Sequence, residues 1–228
     1  MRILDLFTGL GGVARGFQSY LEEHSIEFEY VAVEIDRCVA WAHKLLNPNS
    51  QIIIADAYSL SDDFLRQFDF IWASPPCETH SRANFFHFHD PKRFKEPDMR
   101  LYGIVSRLMD LRVPFVVENV EPYYRPPIQP RTKVCWHRLW TNLPTPSEIP
   151  CPMKGVKFFD VKDDAKMLIE YHELEEHFVE LRRRLGTVRR LRDALRDMVH
   201  WRIAYIVASV VIPLLEEPKL QLTLEVGE

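Results

Sequence analysis

The first half of the chain alternates short apolar runs with amphipathic segments. Runs of hydrophobic residues predict strands at Arg2–Phe7, Phe28–Val33, Gln51–Ala55, Phe68–Ala73 and Pro114–Val117. The 3.6-residue spacing of apolar positions predicts helices at Val13–Glu23, Cys38–Leu46 and Met99–Leu111. Because strands and helices alternate, and the strands are continuously apolar, we expect an α/β fold with a mostly parallel sheet and helices on both faces.

The pattern changes beyond about residue 119. Residues 120–152 are rich in proline and look irregular, with one strand candidate at Lys133–Thr141. The following residues predict helices at Asp163–Leu185, which Gly186 ends, at Val188–His200, which Thr187 caps, and at Trp201–Leu215, which ends near Pro213. We therefore expect a catalytic domain at 1–142. We expect residues 143–228 to form a helical segment whose last helix packs back on that domain.

Composition and charge narrow the class of protein. The chain has 228 residues, of which 46% are hydrophobic and 27% charged, as in an ordinary soluble protein. The apolar run Ile203–Leu215 is too short to span a bilayer, and the N-terminus lacks a signal-peptide pattern, so we expect a cytoplasmic protein without a membrane partner. The net charge is -4, so any binding of nucleic acid needs local basic patches. The four cysteines show no CxxC spacing and are expected to be thiols.

The loop after the first predicted strand is a candidate cofactor site. Four of the eight glycines lie within eight positions in this loop and the start of the following helix: Gly9, Gly11, Gly12 and Gly16. Glycine permits a tight turn and a close approach of ligand to backbone, and the following helix N-terminus attracts a carboxylate. Glu34 and Asp56, at the ends of the next two strands, can accept hydrogen bonds from ribose hydroxyls and an adenine amino group. The pattern predicts an adenosine-bearing cofactor; its GxGG form differs from the GxGxxG of dinucleotide folds.

A candidate nucleophile follows the fourth predicted strand. Cys77 lies in the segment Ser74–Ser81, and two prolines before it stiffen its approach. Glu118 and Asn119 follow the fifth strand, and so should open onto the same edge of the sheet. A lone cysteine is often only packing, but an acid one strand away favours a reactive thiol. Histidines near Cys77 could bind zinc, but their spacing lacks a cysteine pair, and we expect no metal.

The segments DLFTGLGG, ASPPCETHS and ENV, in this order and spacing, resemble the cytosine-5 DNA methyltransferases over roughly residues 1–142. The resemblance implies a Rossmann-like fold that binds S-adenosylmethionine and methylates cytosine carbon 5 in DNA, through base flipping and a covalent adduct with Cys77. It implies that Glu118 holds the base and Asn119 braces the cysteine loop. The cofactor residues that it implies are Asp5, Phe7, Thr8, Gly9, Gly11, Gly12, Glu34, Ile35, Asp56, Ala57 and Pro76.

The family also carries a QxRxR motif whose arginines orient the base and the catalytic loop. Two segments compete for this role. Gln129–Lys133 keeps Arg131 but ends in lysine, whereas Trp136–Asn142 resembles the form of small phage-type relatives. We favour Arg138 from the second segment. Arg138 or Arg82 could also favour the Cys77 thiolate.

The helical segment is strongly basic. Its arginines are Arg182, Arg183, Arg184, Arg189, Arg190, Arg192, Arg196 and Arg202. They could contact phosphates, and the nucleic-acid candidates are Ser81, Arg82, Arg131, Arg183 and Arg190. The same helices could instead form a homodimer surface, since they carry the apolar stripe Leu168, Tyr171, Leu174 and Phe178.

Two features of the family are reduced in this chain. The recognition segment is short, and the final apolar helix lacks the usual asparagine, for which Ser209 is the nearest polar substitute. DNA is the favoured substrate, and RNA is the first alternative. A catalytically silent nucleic-acid-binding relative and a nicotinamide-dependent oxidoreductase are further alternatives; intact Cys77 and Glu118 argue against the silent relative.

Overall fold

The computed structural model describes residues 1–153 and 164–216. Within them a sheet of eight strands has the order β3-β2-β1-β4-β5-β7-β6-β8. The first five strands are parallel to their neighbours, and β7 pairs antiparallel with β5 and β6, whereas β8 pairs parallel with β6. The strands are β1 Arg2–Leu6, β2 Glu29–Glu34, β3 Gln51–Ile54, β4 Phe70–Ala73, β5 Phe115–Val120, β6 Thr132–Val134, β7 His137–Thr141 and β8 Glu148–Ile149.

Helices cover both faces of this sheet. Those before β6 are α1 Gly12–Glu23, α2 Arg37–Leu46, α3 Asp62–Leu65, α4 Arg82–Phe85 and α5 Arg100–Leu111. The later ones are α6 Ala165–His172, α7 Phe178–Leu185, α8 Val188–Arg196 and α9 Trp201–Glu216. One core lies between the sheet and helices α1 and α9, and a second core lies on the opposite face under α5. The predicted fold class is confirmed, with boundaries that differ by a few residues.

The region from 133 to 141 differs from its prediction. A single strand candidate folds as the hairpin β6–β7, which turns at Cys135 with φ +51°. The same cysteine forms a disulfide with Cys151, with the sulfur atoms 1.98 Å apart, so the expectation of four thiols is wrong. The sequence spacing hid this pair because the hairpin and β8, not a CxxC turn, bring the two cysteines together.

The helical segment is more broken than predicted. The helix expected over Asp163–Leu185 divides into α6 and α7 because Glu173 adopts a left-handed φ of +58°; Asp163 lies outside the described residues. Thr187 caps α8 as expected, since its Oγ1 accepts a hydrogen bond from the backbone N of Arg190 at 3.1 Å. Helix α9 continues through Pro213 to Glu216, because a proline in the last turn removes only one helical hydrogen bond.

Helix α9 packs back on α1 at glycine contacts. A Cβ atom on Gly16 would lie 2.4 Å from the backbone oxygen of Trp201, so only glycine allows this approach. By length and composition alone, the helical run Val188–Glu216 could cross a membrane, but half of its apolar 18-residue stretch is buried inside the protein. The buried side of α9 against α1 is that of a core helix. The division at residue 142 stays a prediction, and β8 beyond it still belongs to the sheet.

Helices α6, α7 and α8 bury the apolar stripe that favoured a dimer surface. Leu168 and Leu174 are buried in a third core with α2, and Phe178 packs against it. The apolar stripe is therefore buried within the chain, and so it no longer supports a homodimer surface. The sequence of α6 and α7 alone could not predict this burial, because the surface that covers the stripe comes from α2 and α8.

Candidate active site

The three motif loops leave the sheet at one edge. Leu6 of β1 is in register with Ala73 of β4, and Ala73 is in register with Val117 of β5. The glycine loop follows Leu6, the cysteine loop follows Ala73, and Glu118 follows Val117. Parallel strands thus bring together the groups that the sequence separates by more than forty residues each.

A buried polar network supports the glycine loop from below. The hydroxyls of Thr8 and Tyr30 donate hydrogen bonds to Oδ2 of Asp5 at 2.6 and 3.1 Å. Burial raises the pKa of Asp5 to about 7 and lowers the pKa of His43, whose Nδ1 lies 3.2 Å from the Thr8 hydroxyl, to about 4. Asp5 and Thr8 therefore position the loop from inside. The sequence reading missed His43, which α2 contributes.

The outer side of the loop is open and fits an adenosine-bearing cofactor. Gly9 has φ +54°, and a Cβ atom there would meet nothing within 4 Å. Its N–H donates to Oε2 of Glu34 at 3.0 Å, while Oε1 accepts from the backbone N of Asp36 at 2.8 Å. Burial raises the pKa of Glu34. The half-buried carboxylate lies beside Ile35, whose side chain is 68% exposed. A carboxylate next to an open apolar surface suits a ribose and a purine ring.

The remaining predicted cofactor residues differ in how exposed they are. Asp56 is exposed; its Oδ1 accepts from the backbone N of Tyr58 at 3.0 Å. The ring of Tyr58 lies 4.8 Å from that of Phe7. Ala57 is buried and Pro76 is exposed. Their contact with the cofactor stays a prediction.

The segment before α9 closes the glycine loop on its other side. A Cβ atom on Gly12 would lie 1.9 Å from the backbone oxygen of Val199 and 2.9 Å from Cε of Met198. Ser209 does not take this place, because its hydroxyl donates to the carbonyl of Ile206 within α9 at 2.8 Å. Met198 and Val199 were missed, and nothing in their residue types marks them.

The cysteine loop is fixed from β5. The Nδ2 of Asn119 donates to the carbonyl of Pro75 at 2.8 Å, which is the brace that the resemblance implies. The carbonyl of Cys77 accepts from the backbone N of His80 at 3.0 Å and from that of Ser81 at 3.1 Å. These bonds form a tight turn that holds Cys77 between the prolines and α4.

The Cys77 thiol is protonated in this arrangement. Burial raises its pKa to about 12, and the carboxylates of Asp197 and Glu118 raise it further. Arg82 and Arg138 do not supply the expected positive charge, because both guanidinium groups lie on Glu121, at 3.8 and 2.7 Å. The fold by itself therefore disfavours the Cys77 thiolate.

Glu118 is held by a histidine. Its Oε1 lies 2.5 Å from Nδ1 of His137 on the neighbouring strand β7, and both side chains are buried. Arg138, the next residue, faces away toward Glu121. His137 thus holds Glu118 in place, and the catalytic role expected of Arg138 stays a prediction. The alternation of sides along a strand was the signal that could have separated the two residues.

The nucleic-acid candidates lie on two surfaces. Ser81 caps α4, since its Oγ accepts from the backbone N of Asn84 at 3.4 Å, and Arg82 and Arg131 are exposed. On the helical segment, Arg183 pairs with Glu180 and Arg190 with Asp36, each at 2.6 Å. Phosphate contacts by these two arginines stay predictions and would compete with the ion pairs. No group of His, Cys, Asp or Glu in residues 1–153 and 164–216 could hold a metal ion.

Comparison with known proteins identifies the family. The family model of the C-5 cytosine-specific DNA methylases matches residues 1–127, more than half of the chain. The chain belongs to this family. Type II methyltransferase M.NgoPII of Neisseria gonorrhoeae is 29% identical over 124 residues, which are 53% of this chain and 33% of that protein. Type II methyltransferase M.NgoBV of the same organism is 26% identical over 125 residues, with 53% and 28% covered. The match thus spans about a third of each relative.

Solved structures agree with the fold. A mutant of Spodoptera frugiperda DNMT2 has a TM-score of 0.51 and 13% identity, covering 94% of this chain and 99% of that one. The methyltransferase EhMeth of Entamoeba histolytica has a TM-score of 0.52 and 11% identity, covering 94% and 97%. The fold is that of S-adenosylmethionine-dependent methyltransferases, and S-adenosylmethionine is the cofactor of the family.

Proposed function

We propose that the protein methylates carbon 5 of cytosine in DNA. The observation that carries this proposal is the common edge of β1, β4 and β5, where Cys77 and Glu118 lie beside the glycine loop. The family supports the reaction, and the hydrogen bond from Asn119 to Pro75 supports a fixed nucleophile. The reaction is expected in the cytoplasm, with DNA as the partner.

Cytosine carbon 5 is a weak nucleophile, and we propose that Cys77 and Glu118 together make it more nucleophilic. The Cys77 thiol loses its proton to solvent, and its sulfur forms a bond to carbon 6, which breaks the ring conjugation and moves an electron pair toward carbon 5. Glu118, held by His137 and carrying a proton in the complex, donates a hydrogen bond to the ring nitrogen and accepts one from the amino group, and so stabilises the negative charge that develops on the ring nitrogen. Bound S-adenosylmethionine supplies an electrophilic methyl group. Loss of the carbon 5 proton to solvent then lets the carbon–sulfur bond break and returns the Cys77 thiolate.

The raised pKa of Cys77 fits a thiol that reacts only in a complete complex. Contact of Glu118 with the bound cytosine reduces the repulsion between this carboxyl group and the thiolate, which makes ionisation of Cys77 less costly. The target base must leave the stack to reach a half-buried sulfur, which implies base flipping. We propose that three arginines contact phosphates of the DNA: Arg131, Arg183 and Arg190.

Methyl transfer from tritiated S-adenosylmethionine tests the function. The protein is incubated separately with duplex DNA and with RNA, and the products are digested to nucleosides. We expect label in 5-methylcytosine from DNA. Label only in RNA would show that RNA, the first alternative, is the substrate instead of DNA. Label on an exocyclic nitrogen would contradict the proposed chemistry, because that transfer needs no cysteine.

A further inference from the structure

Helix α8 packs against α2, whose first turn lies beside the candidate cofactor site. Leu191 and Leu195 of α8 are fully buried in the third core, and Cys38 and Val39 of α2 pack against the same core. Helix α2 begins three residues after Glu34, the acid that is expected to hold the ribose. The helical segment therefore reaches the edge of the cofactor site.

One ion pair joins α8 to the N-cap residue of α2. The Nη2 of Arg190 donates to Oδ2 of Asp36 at 2.6 Å, and both side chains are about half exposed. The other oxygen, Oδ1, accepts from the backbone N of Cys38 at 2.8 Å and from that of Val39 at 3.3 Å. By contrast, the ion pair of Arg189 lies within α8 itself. Arg190 thus ties the cap of α2 to another helix.

Asp36 is held ionised at this position. Burial alone would raise its pKa, but the hydrogen bonds from Val39, Cys38 and Arg190 together lower that pKa below its ordinary value. A carboxylate bound by a helix N-terminus on one oxygen and by a guanidinium on the other has little freedom to turn. The position of Asp36 therefore depends on both partners.

Asp36 is bound in turn to Glu34. Its backbone N donates to Oε1 of Glu34 at 2.8 Å, while the backbone N of Gly9 donates to Oε2 at 3.0 Å. Burial raises the pKa of Glu34, and the charge of Asp36 raises it further. The cation of Arg190 offsets that charge. Contacts thus run without a break from α8 through Asp36 and Glu34 to the glycine loop.

We propose that Arg190 is a positioning residue for S-adenosylmethionine, which holds Asp36 and thereby keeps the Glu34 carboxylate directed at the ribose hydroxyls of the cofactor. The proposal rests on the proposed function, because it needs Glu34 in the cofactor site. Without the Arg190 cation, Asp36 loses its support from α8 and its charge stays uncompensated beside Glu34. Cofactor binding should weaken, while the chemistry at Cys77 stays intact.

Calorimetry of S-adenosylmethionine binding without DNA compares Arg190→Gln with Arg189→Gln. R189Q removes the same charge from the same helix, but the partner of Arg189 is Asp193 of α8, at 3.8 Å. R190Q should bind the cofactor about fivefold more weakly, the scale of a half-exposed ion pair, and R189Q should match the unmodified protein. Urea unfolding checks that both variants are folded. Equal affinities of R190Q and R189Q would overturn the proposal.

Two further variants test whether the effect passes through Asp36. Arg190→Lys keeps the cation and should keep more of the affinity than R190Q. Asp36→Asn removes the charge but keeps a residue that caps a helix well. In the D36N background, R190Q should cause no further loss, because the partner is already absent. A full fivefold loss in that background would contradict a path through Asp36.

Glu34→Ala separates this proposal from the assignment on which it rests. Weaker binding by E34A together with unchanged binding by R190Q would reject the positioning role alone. Unchanged binding by E34A would place Glu34 outside the cofactor site and overturn the proposal with it. Because the calorimetry contains no DNA, neither a contact of Arg190 with phosphate nor a failure of methyl transfer to DNA alters these outcomes.

Discussion

The carboxylate of Glu118 and the imidazole of His137 lie 2.5 Å apart across β5 and β7, and both are buried. The contact joins the antiparallel end of the sheet to its parallel part at the active edge. One oxygen of the carboxylate is thus held by the histidine, and the charge of Glu118 is close enough to Cys77 to raise the pKa of the thiol.

Replacing His137 by alanine should slow methyl transfer by about tenfold or more, because a hydrogen bond to a charged group contributes about 1.5–3 kcal/mol. Single-turnover rates with saturating DNA measure the effect. Arg138→Gln is the matched control on the same strand; its partner Glu121 is at the surface, and the loss should be smaller. A larger loss for R138Q than for H137A would return the role to Arg138.

Glu34→Ala should weaken S-adenosylmethionine binding by about 1–3 kcal/mol, since buried hydrogen-bond partners are lost. Calorimetry measures the affinity. Glu29→Ala is the control at the opposite end of β2, where Glu29 forms an exposed ion pair with Arg2. Unchanged affinity for E34A, or an equal loss for E29A, would remove Glu34 from the cofactor site.

Two glycine substitutions test how the segment before α9 closes the glycine loop. Gly12→Ala places a Cβ atom against the Val199 carbonyl and should cost about 1–3 kcal/mol or more of unfolding free energy, as overpacking does. Gly103→Ala has no atom within 4 Å and lies in α5, so it should stabilise by up to about 1 kcal/mol. Urea unfolding measures both, and equal stability of the two variants would contradict the contact.

The pattern of strands and loops in the sequence was enough to predict that the motif loops meet at one edge of the sheet, because the carboxyl ends of parallel strands lie at the same edge. Cys77, Glu118, Asn119 and Glu34 fall where that rule puts them. Met198 and Val199 were not predictable, since each acts through a neighbour that is distant in the sequence. His137 was missed although the alternation of sides along its strand separates it from Arg138. The Cys135–Cys151 bond and the internal use of the α6 stripe likewise depend on partners that only the fold brings near.

The thiol of Cys77 should react slowly at neutral pH in the free protein. Its pKa of about 12 lies above that of a free cysteine, so ionisation is disfavoured in the fold and the thiolate fraction keeps rising as the pH rises. With Cys38→Ser as background, the rate of Cys77 alkylation by iodoacetamide should rise about tenfold per pH unit from about pH 7 to about pH 10. A plateau below about pH 9 would show an activated thiol instead.

The most direct test of the account is covalent capture of Cys77 on DNA that contains 5-fluorocytosine. Fluorine at carbon 5 prevents the loss of the proton that normally releases the cysteine. With S-adenosylmethionine present, the protein should form a complex with this DNA that survives a denaturing gel, and peptide mapping should place the bond on Cys77. Cys77→Ser should abolish both capture and turnover, because an alcohol is far less ionised than a thiol, while Cys38→Ser should retain them. Normal cytosine methylation by C77S would contradict the central claim.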